Sequence, residues 1–149
     1  MGAGKSTYSK KFSVDTGYIL ISEDEWLAQL FPDEINNFDD YISRHCRLLS
    51  LLEDHIKQIL KAGSSVILDF PGNTVETRTW FKAVAQSANA PLVAHYIKAS
   101  DEKCLAQINI RRVEQPTRAK FDTPEVFQKV NRFFEEPTEA EGITVNLVE

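Results

Sequence analysis

The residues best suited to chemistry stand at the start of the chain, where Gly2, Ala3, Gly4, Lys5, Ser6 and Thr7 lie within MGAGKST. Their last members match the end of the phosphate-loop pattern G-x-x-x-x-G-K-[ST], which lies between a buried strand and a helix. In such a loop successive backbone N–H groups cradle phosphates, the lysine neutralises the β/γ charge and the hydroxyl binds Mg²⁺. Lys5 and Ser6 hold the positions for those two tasks, and Gly2, Ala3, Gly4 and Thr7 fit the rest of the cradle. The pattern's first glycine would fall two places before Met1, together with the strand that delivers it. A chance G-K-S is the competing explanation for these letters alone.

Two acids are placed to work with that loop. Asp24 lies just beyond YILIS (18–22), an apolar run that predicts a strand, and ligands gather at the carboxyl ends of strands in open α/β sheets. The alternative is structural: Ser22 caps a short helix whose first turn, Glu23 to Glu25, is acidic to suit the helix dipole. Asp69 follows three apolar residues in SVILDF (65–70), the shape of a Walker B acid that holds Mg²⁺ opposite Ser6. Its alternative is a turn-capping aspartate before Pro71 and Gly72.

Several other groups read more simply. Arg44, His45 and Arg47 cluster on one long helix, and a solvated face is preferred to a site for a polar acceptor. Arg78 and Trp80 follow the Asp69 turn and border a pocket, or, for Trp80, belong to the core. His55 and His95 have no partner in sequence, and His95, alternating on a strand, is structural. No metal site is indicated other than Mg²⁺ at the phosphates.

The elements that must position these residues alternate. A short helix is expected from Ser6 to about Phe12, the YILIS strand, a helix over 23–31 ended by Pro32, and a long helix from Phe38 to about Ala62. Asn36 and Asn37 are capping candidates for the long helix, and Gly63 stops it. The SVILDF strand, an amphipathic helix over 74–88 and a strand over 92–99 follow. Ser100 caps a helix to about Val113, a polar break covers 114–124, and a helix over 124–135 precedes a closing strand at 142–148. Alternating strands and helices predict a mainly parallel sheet covered on both faces. Four strands are visible; the strand that precedes the loop would be a central fifth, so the native chain is expected to be longer and to start upstream of Met1.

Bulk properties set the class. A chain of 149 residues, 42% hydrophobic and 26% charged, makes one ordinary globular domain over 1–149. The net charge of −5 argues against nonspecific binding to nucleic acid or to an anionic membrane. Cys46 and Cys104 lack any paired spacing, as expected of reduced thiols in a cytoplasmic protein. No long apolar run indicates a membrane span.

With loop, strands and break in order, the chain resembles the small P-loop kinase group, which includes polynucleotide kinases, chloramphenicol phosphotransferase and zeta toxins. It looks most similar to that group's uncharacterised ATP-binding members. The resemblance rests on GAGKST, ISEDEWL, VILDFPGNTVETRTWF, IRRVEQPTR and FFEEPTEAEGITV, and covers essentially the whole chain. It implies a three-layer P-loop NTPase fold with a small helical lid, about 104–136, inserted in the domain. It implies ATP and Mg²⁺ as cofactors, Asp24 as the base for an acceptor hydroxyl with Glu23 and Glu25 as runners-up, Asp69 either on Mg²⁺ or facing the acceptor, and lid arginines closing over the phosphates. Arg112 and Arg118 are favoured for catalysis, with Arg111 beside them on the nucleotide; an exposed helix face is the alternative for all three. The function implied is transfer of the γ-phosphate of ATP to a hydroxyl of a small molecule. An ATP-binding regulatory module or slow ATPase is the second reading. A nucleic-acid 5′-hydroxyl kinase ranks lower because the chain is acidic and lacks a basic, aromatic-rich stretch.

Overall fold

The computed structural model describes residues 1–116 and 121–148. Along the chain run α1 (Lys5–Thr16), β1 (Ile19–Ser22), α2 (Glu23–Leu30), α3 (Phe38–Lys61), β2 (Val66–Asp69), α4 (Val75–Ser87), β3 (Val93–Ile97), α5 (Asp101–Glu114), α6 (Pro124–Arg132) and β4 (Thr144–Val148). The order is the alternation expected of an α/β protein. No described helix is long and apolar enough to cross a membrane.

Local chemistry sets most of the boundaries. Asn37 caps α3, its Oδ1 accepting from the Asp40 amide at 2.9 Å. Gly63, at φ +86°, ends the same helix in a conformation that L side chains rarely adopt. Ser100 caps α5, and Thr123 caps α6 with Pro124 at the first helical turn. Two ends differ from expectation. Helix α1 continues past Phe12 to Thr16, whose hydroxyl donates back to the Phe12 carbonyl at 2.6 Å. Helix α6 stops at Arg132, short of Glu135, because Glu135 is held elsewhere. Its amide donates to the Asn73 carbonyl at 2.8 Å and its carboxylate accepts from the Val75 amide at 2.7 Å.

The strands form two parallel pairs. In one, Ile19 to Ser22 lie opposite Val66 to Asp69; in the other, Val93 to Ile97 lie opposite Thr144 to Val148. The expected single sheet is not formed among the described residues. Residues 1–4 bend into α1 and are not a strand.

The described chain divides into two compact units. The larger holds β1, β2, α2, α3 and most of α1 and α4, around Ile21, Leu27, Leu48, Leu52, Ile56, Phe70 and Val84. Each such side chain contributes about 1.5–3 kcal/mol through burial. Trp80 packs against this core, as one of its two readings had it. The other unit, formed by residues 1–5, 72–79 and 92–149, has a small core of Cys104, Ile108 and Phe127 on which Ala3 packs. Its strands are incompletely covered: Val93 and Leu147 are about half exposed.

Candidate functional site

The loop before α1 is built on two glycines with positive φ, Gly2 at +74° and Gly4 at +90°. A Cβ at position 2 would lie 2.5 Å from the Cys104 carbonyl oxygen and 3.0 Å from Ile108 Cγ1, so only glycine fits. At Gly4 the surroundings are open, and the backbone angle alone selects glycine. Helix α1 follows directly at Lys5, with no acidic side chain in its first turn. The partial positive charge of a helix N-terminus suits an anion. Lys5 and Thr7 are exposed and Ser6 is half-buried.

The carboxyl ends of β1 and β2 bring the predicted acids forward. The register sets Ser22 opposite Asp69, and the Ser22 hydroxyl donates to Asp69 Oδ2 at 3.3 Å. Both are buried. Ser22 does occupy the N-cap of α2, but its side chain makes no capping bond because it is turned toward Asp69. Of the three acids that follow, Glu23 is 1% exposed and faces α3, where its carboxylate pairs with His45 Nδ1 and accepts from the Tyr41 hydroxyl at 3.3 Å. The Tyr41 and His45 rings stack with centroids 5.7 Å apart. Glu25 is engaged by Lys10 at 2.6 Å, and that hydrogen bond is the main cause that raises the Lys10 pKa, with Asp69 a smaller one. Asp24 stands exposed between them in the first turn of α2.

The basic residues divide. Arg111 is held in a two-pronged pair by Asp122, at 2.6 Å from Nε and 2.5 Å from Nη2, and Asp122 is completely buried. Arg112 is exposed, and Arg118 lies outside the described residues. The expected solvated face at Arg44, His45 and Arg47 holds only for Arg47. Arg44 lies over the Phe31 ring at 5.0 Å and pairs with Glu34 at 2.8 Å, while His45 serves Glu23. Both corrections have one cause, a buried or half-buried partner on α2 and the loop after it.

Arg78, expected to border a pocket, is held by side chains and carbonyls of its own unit. It is 4% exposed and makes four hydrogen bonds: two to the Glu141 carboxylate, one to the Gly72 carbonyl and one to the Glu135 carbonyl. It thereby ties the turn at 72–74 to the segment 135–141. Glu135 and Glu141 are 57 and 63 residues away in sequence, beyond the reach of any local signal.

A family profile described as an AAA domain matches residues 1–137. The chain belongs to this AAA-domain family. The AAA-domain chain is also similar to the crystal structure of "a putative kinase" from Chloroflexus aurantiacus J-10-fl. The TM-score is 0.73 at 19% identity, over 98% of this chain and 78% of that one, and at that identity the likeness concerns the fold. No curated protein matches significantly.

Proposed function

We propose that this AAA-domain protein is an ATP-dependent phosphotransferase that moves the γ-phosphate of ATP to a hydroxyl of a small-molecule acceptor in the cytoplasm. The observation that carries the reading is the loop: two positive-φ glycines leading straight into a helix whose first turn holds Lys5 and Ser6 and no acid. The reading takes residues 1–149 as one three-layer P-loop domain, with residues 104–136 as its lid.

The residues fit Mg²⁺ as P-loop proteins hold it. Asp69 offers a buried carboxylate, and among the described residues no group of three or more His, Cys, Asp or Glu forms a metal cage. Mg²⁺ keeps waters and leans on one or two protein ligands plus substrate phosphates, so a lone acid with the Ser6 hydroxyl is the donor set it needs. When bound there it would offset charge on the β- and γ-phosphate oxygens. Lys5 neutralises the same oxygens from the protein side, and the backbone amides after Gly2 orient them. Asp24 accepts the proton of the attacking hydroxyl as that oxygen bonds to the γ-phosphorus and ADP departs. Arg112 and Arg118 supply donors to the transferring group, with Arg111 as a nucleotide contact once it leaves Asp122.

Equilibrium ATP binding to the wild type and to Lys5→Ala tests the loop: affinity should fall by about 10-fold or more in the variant. Equal affinities would sink the reading. Label from γ-³²P-ATP should then reach a small alcohol, aminoglycoside or nucleoside in preference to a 5′-hydroxyl oligonucleotide. The pairing of Arg111 with Asp122 favours one rival, an ATP-binding module without transfer. That rival predicts ATP binding, slow hydrolysis and no labelled acceptor.

A further inference from the structure

We propose that His45 forms part of the acceptor site: its Nε2 binds a second, non-reacting hydroxyl of a polyhydroxylated small molecule. The inference rests on the phosphotransferase reading of the site and adds to it a residue that recognises the acceptor.

Three observations carry it. The first is place. Glu23 is the first residue of α2, directly after the carboxyl end of β1 and next to Asp24, the base in that reading. Its carboxylate pairs with His45 Nδ1, so the imidazole is brought from α3 to the strand end at which Asp24 stands. The second is fixation. Glu23 is 1% exposed, and its other oxygen accepts from the Tyr41 hydroxyl at 3.3 Å. Tyr41 lies one turn before His45 on α3, and the two rings stack with centroids 5.7 Å apart. A ring gripped at one nitrogen and along one face has little freedom to turn.

The third is what the grip leaves over. A carboxylate only accepts, so Nδ1 is committed as a donor whether the imidazole is neutral or charged. Nε2 has no hydrogen-bond partner among the described residues. Nor is it sealed in, since among those residues Arg44 Nε is the buried side-chain nitrogen without a partner, and 15% of the His45 side chain is exposed. An oriented nitrogen that can be approached suits a ligand. When neutral, Nε2 accepts from a hydroxyl; when charged, it donates to one. A hydroxyl does both and so meets either form, whereas a carboxylate or an ammonium group meets only one. Asp24 takes the proton of the reacting hydroxyl, so the hydroxyl at Nε2 is another one, and the acceptor class is a polyol, a sugar or a ribose-bearing compound.

Initial rates of transfer from γ-³²P-ATP to glycerol, adenosine and kanamycin test the proposal, with propanol and dideoxyadenosine as controls that carry one hydroxyl. The variant is His45→Asn. Its amide nitrogen is as many bonds from Cβ as Nδ1 is and can still donate to Glu23, while Nε2 is gone. For a polyol that the wild type labels, KM should rise by about 5–10-fold in His45→Asn, with kcat and ATP affinity within about 2-fold. KM for a labelled control should not change. The proposal is overturned if the polyol KM stays the same. It is overturned too if that KM rises together with KM for a control, or with a loss of ATP affinity, since either marks a disturbed fold. Long-range ¹H–¹⁵N spectra of the imidazole test the part played by Glu23. Nδ1 should carry a proton in the wild type, and its share of that proton should fall in Glu23→Gln, whose amide can donate to Nδ1. A wild-type Nδ1 without a proton, or an unchanged share in the variant, overturns the proposal as well. If the wild type labels none of the compounds, or Lys5→Ala binds ATP as the wild type does, the phosphotransferase reading fails first and the His45 proposal goes with it.

Discussion

Gly2 holds φ +74° with the Cys104 carbonyl 2.5 Å from where a Cβ would stand, and that carbonyl belongs to helical backbone that cannot swing aside. Gly2→Ala should therefore cost about 1–3 kcal/mol in urea unfolding and also weaken ATP binding, since the loop must shift. Gly4→Ala meets no atoms within 4 Å and should cost only the left-handed penalty, about 1–2 kcal/mol. A larger loss at Gly4 than at Gly2 would refute this ranking. Asp24 offers a cleaner functional separation because it is exposed and lies in no core. In Asp24→Asn, ATP affinity should hold while phosphoryl transfer falls by about 10²–10⁴-fold. Transfer that persists unchanged would remove Asp24 from the role of base.

Between elements, a buried side-chain link in the larger unit joins α2 to α3 through Glu23, His45 and Tyr41. Removing one partner leaves a carboxylate at 1% exposure without its main compensation. His45→Leu should destabilise by about 3–5 kcal/mol, and the double variant His45→Leu/Glu23→Leu by less, as unfolding midpoints will show. On β3, burial holds the His95 imidazole below its ordinary value of 6.5. The unfolded chain thus takes up a proton first as pH falls. This contribution leaves stability intact above about pH 6.5 and erodes it below, until the folded form protonates as well. His95→Gln should lessen the drop in urea midpoint between about pH 7.5 and 5.5; an unchanged drop would rule His95 out as a cause.

Element order and helix caps were legible because they depend on neighbours in sequence: Asn37 and Ser100 each satisfy an amide three residues on. The positions of Lys5, Asp24 and Asp69 at a helix start or a strand end were legible for the same reason. The partners of Glu23, Arg78 and Arg111 were not. Each finds its main partners through tertiary packing, and nothing within a helical turn forecasts them.

At the scale of the whole molecule, binding and charge give the simplest tests. A ligand that binds only the folded chain stabilises it by mass action, about 2.7 kcal/mol at 100 times its Kd. MgATP should accordingly raise the melting temperature of the wild type and do so far less for Lys5→Ala, as calorimetry will show. The net charge of −5 predicts weak, salt-sensitive association at most with a 5′-hydroxyl oligonucleotide. Tight binding at physiological salt would revive the nucleic-acid reading.

Arg78 is also a cleavage site for trypsin, hidden by its own four hydrogen bonds. A protease reaches it only when the 72–79 segment has parted from Glu135 and Glu141. Lys61 and Arg132, exposed at helix ends, should be nicked early, whereas the cut after Arg78 should wait for local opening. The rate of that late cut, followed by mass spectrometry, turns one buried guanidinium into a clock for how often this part of the protein breathes.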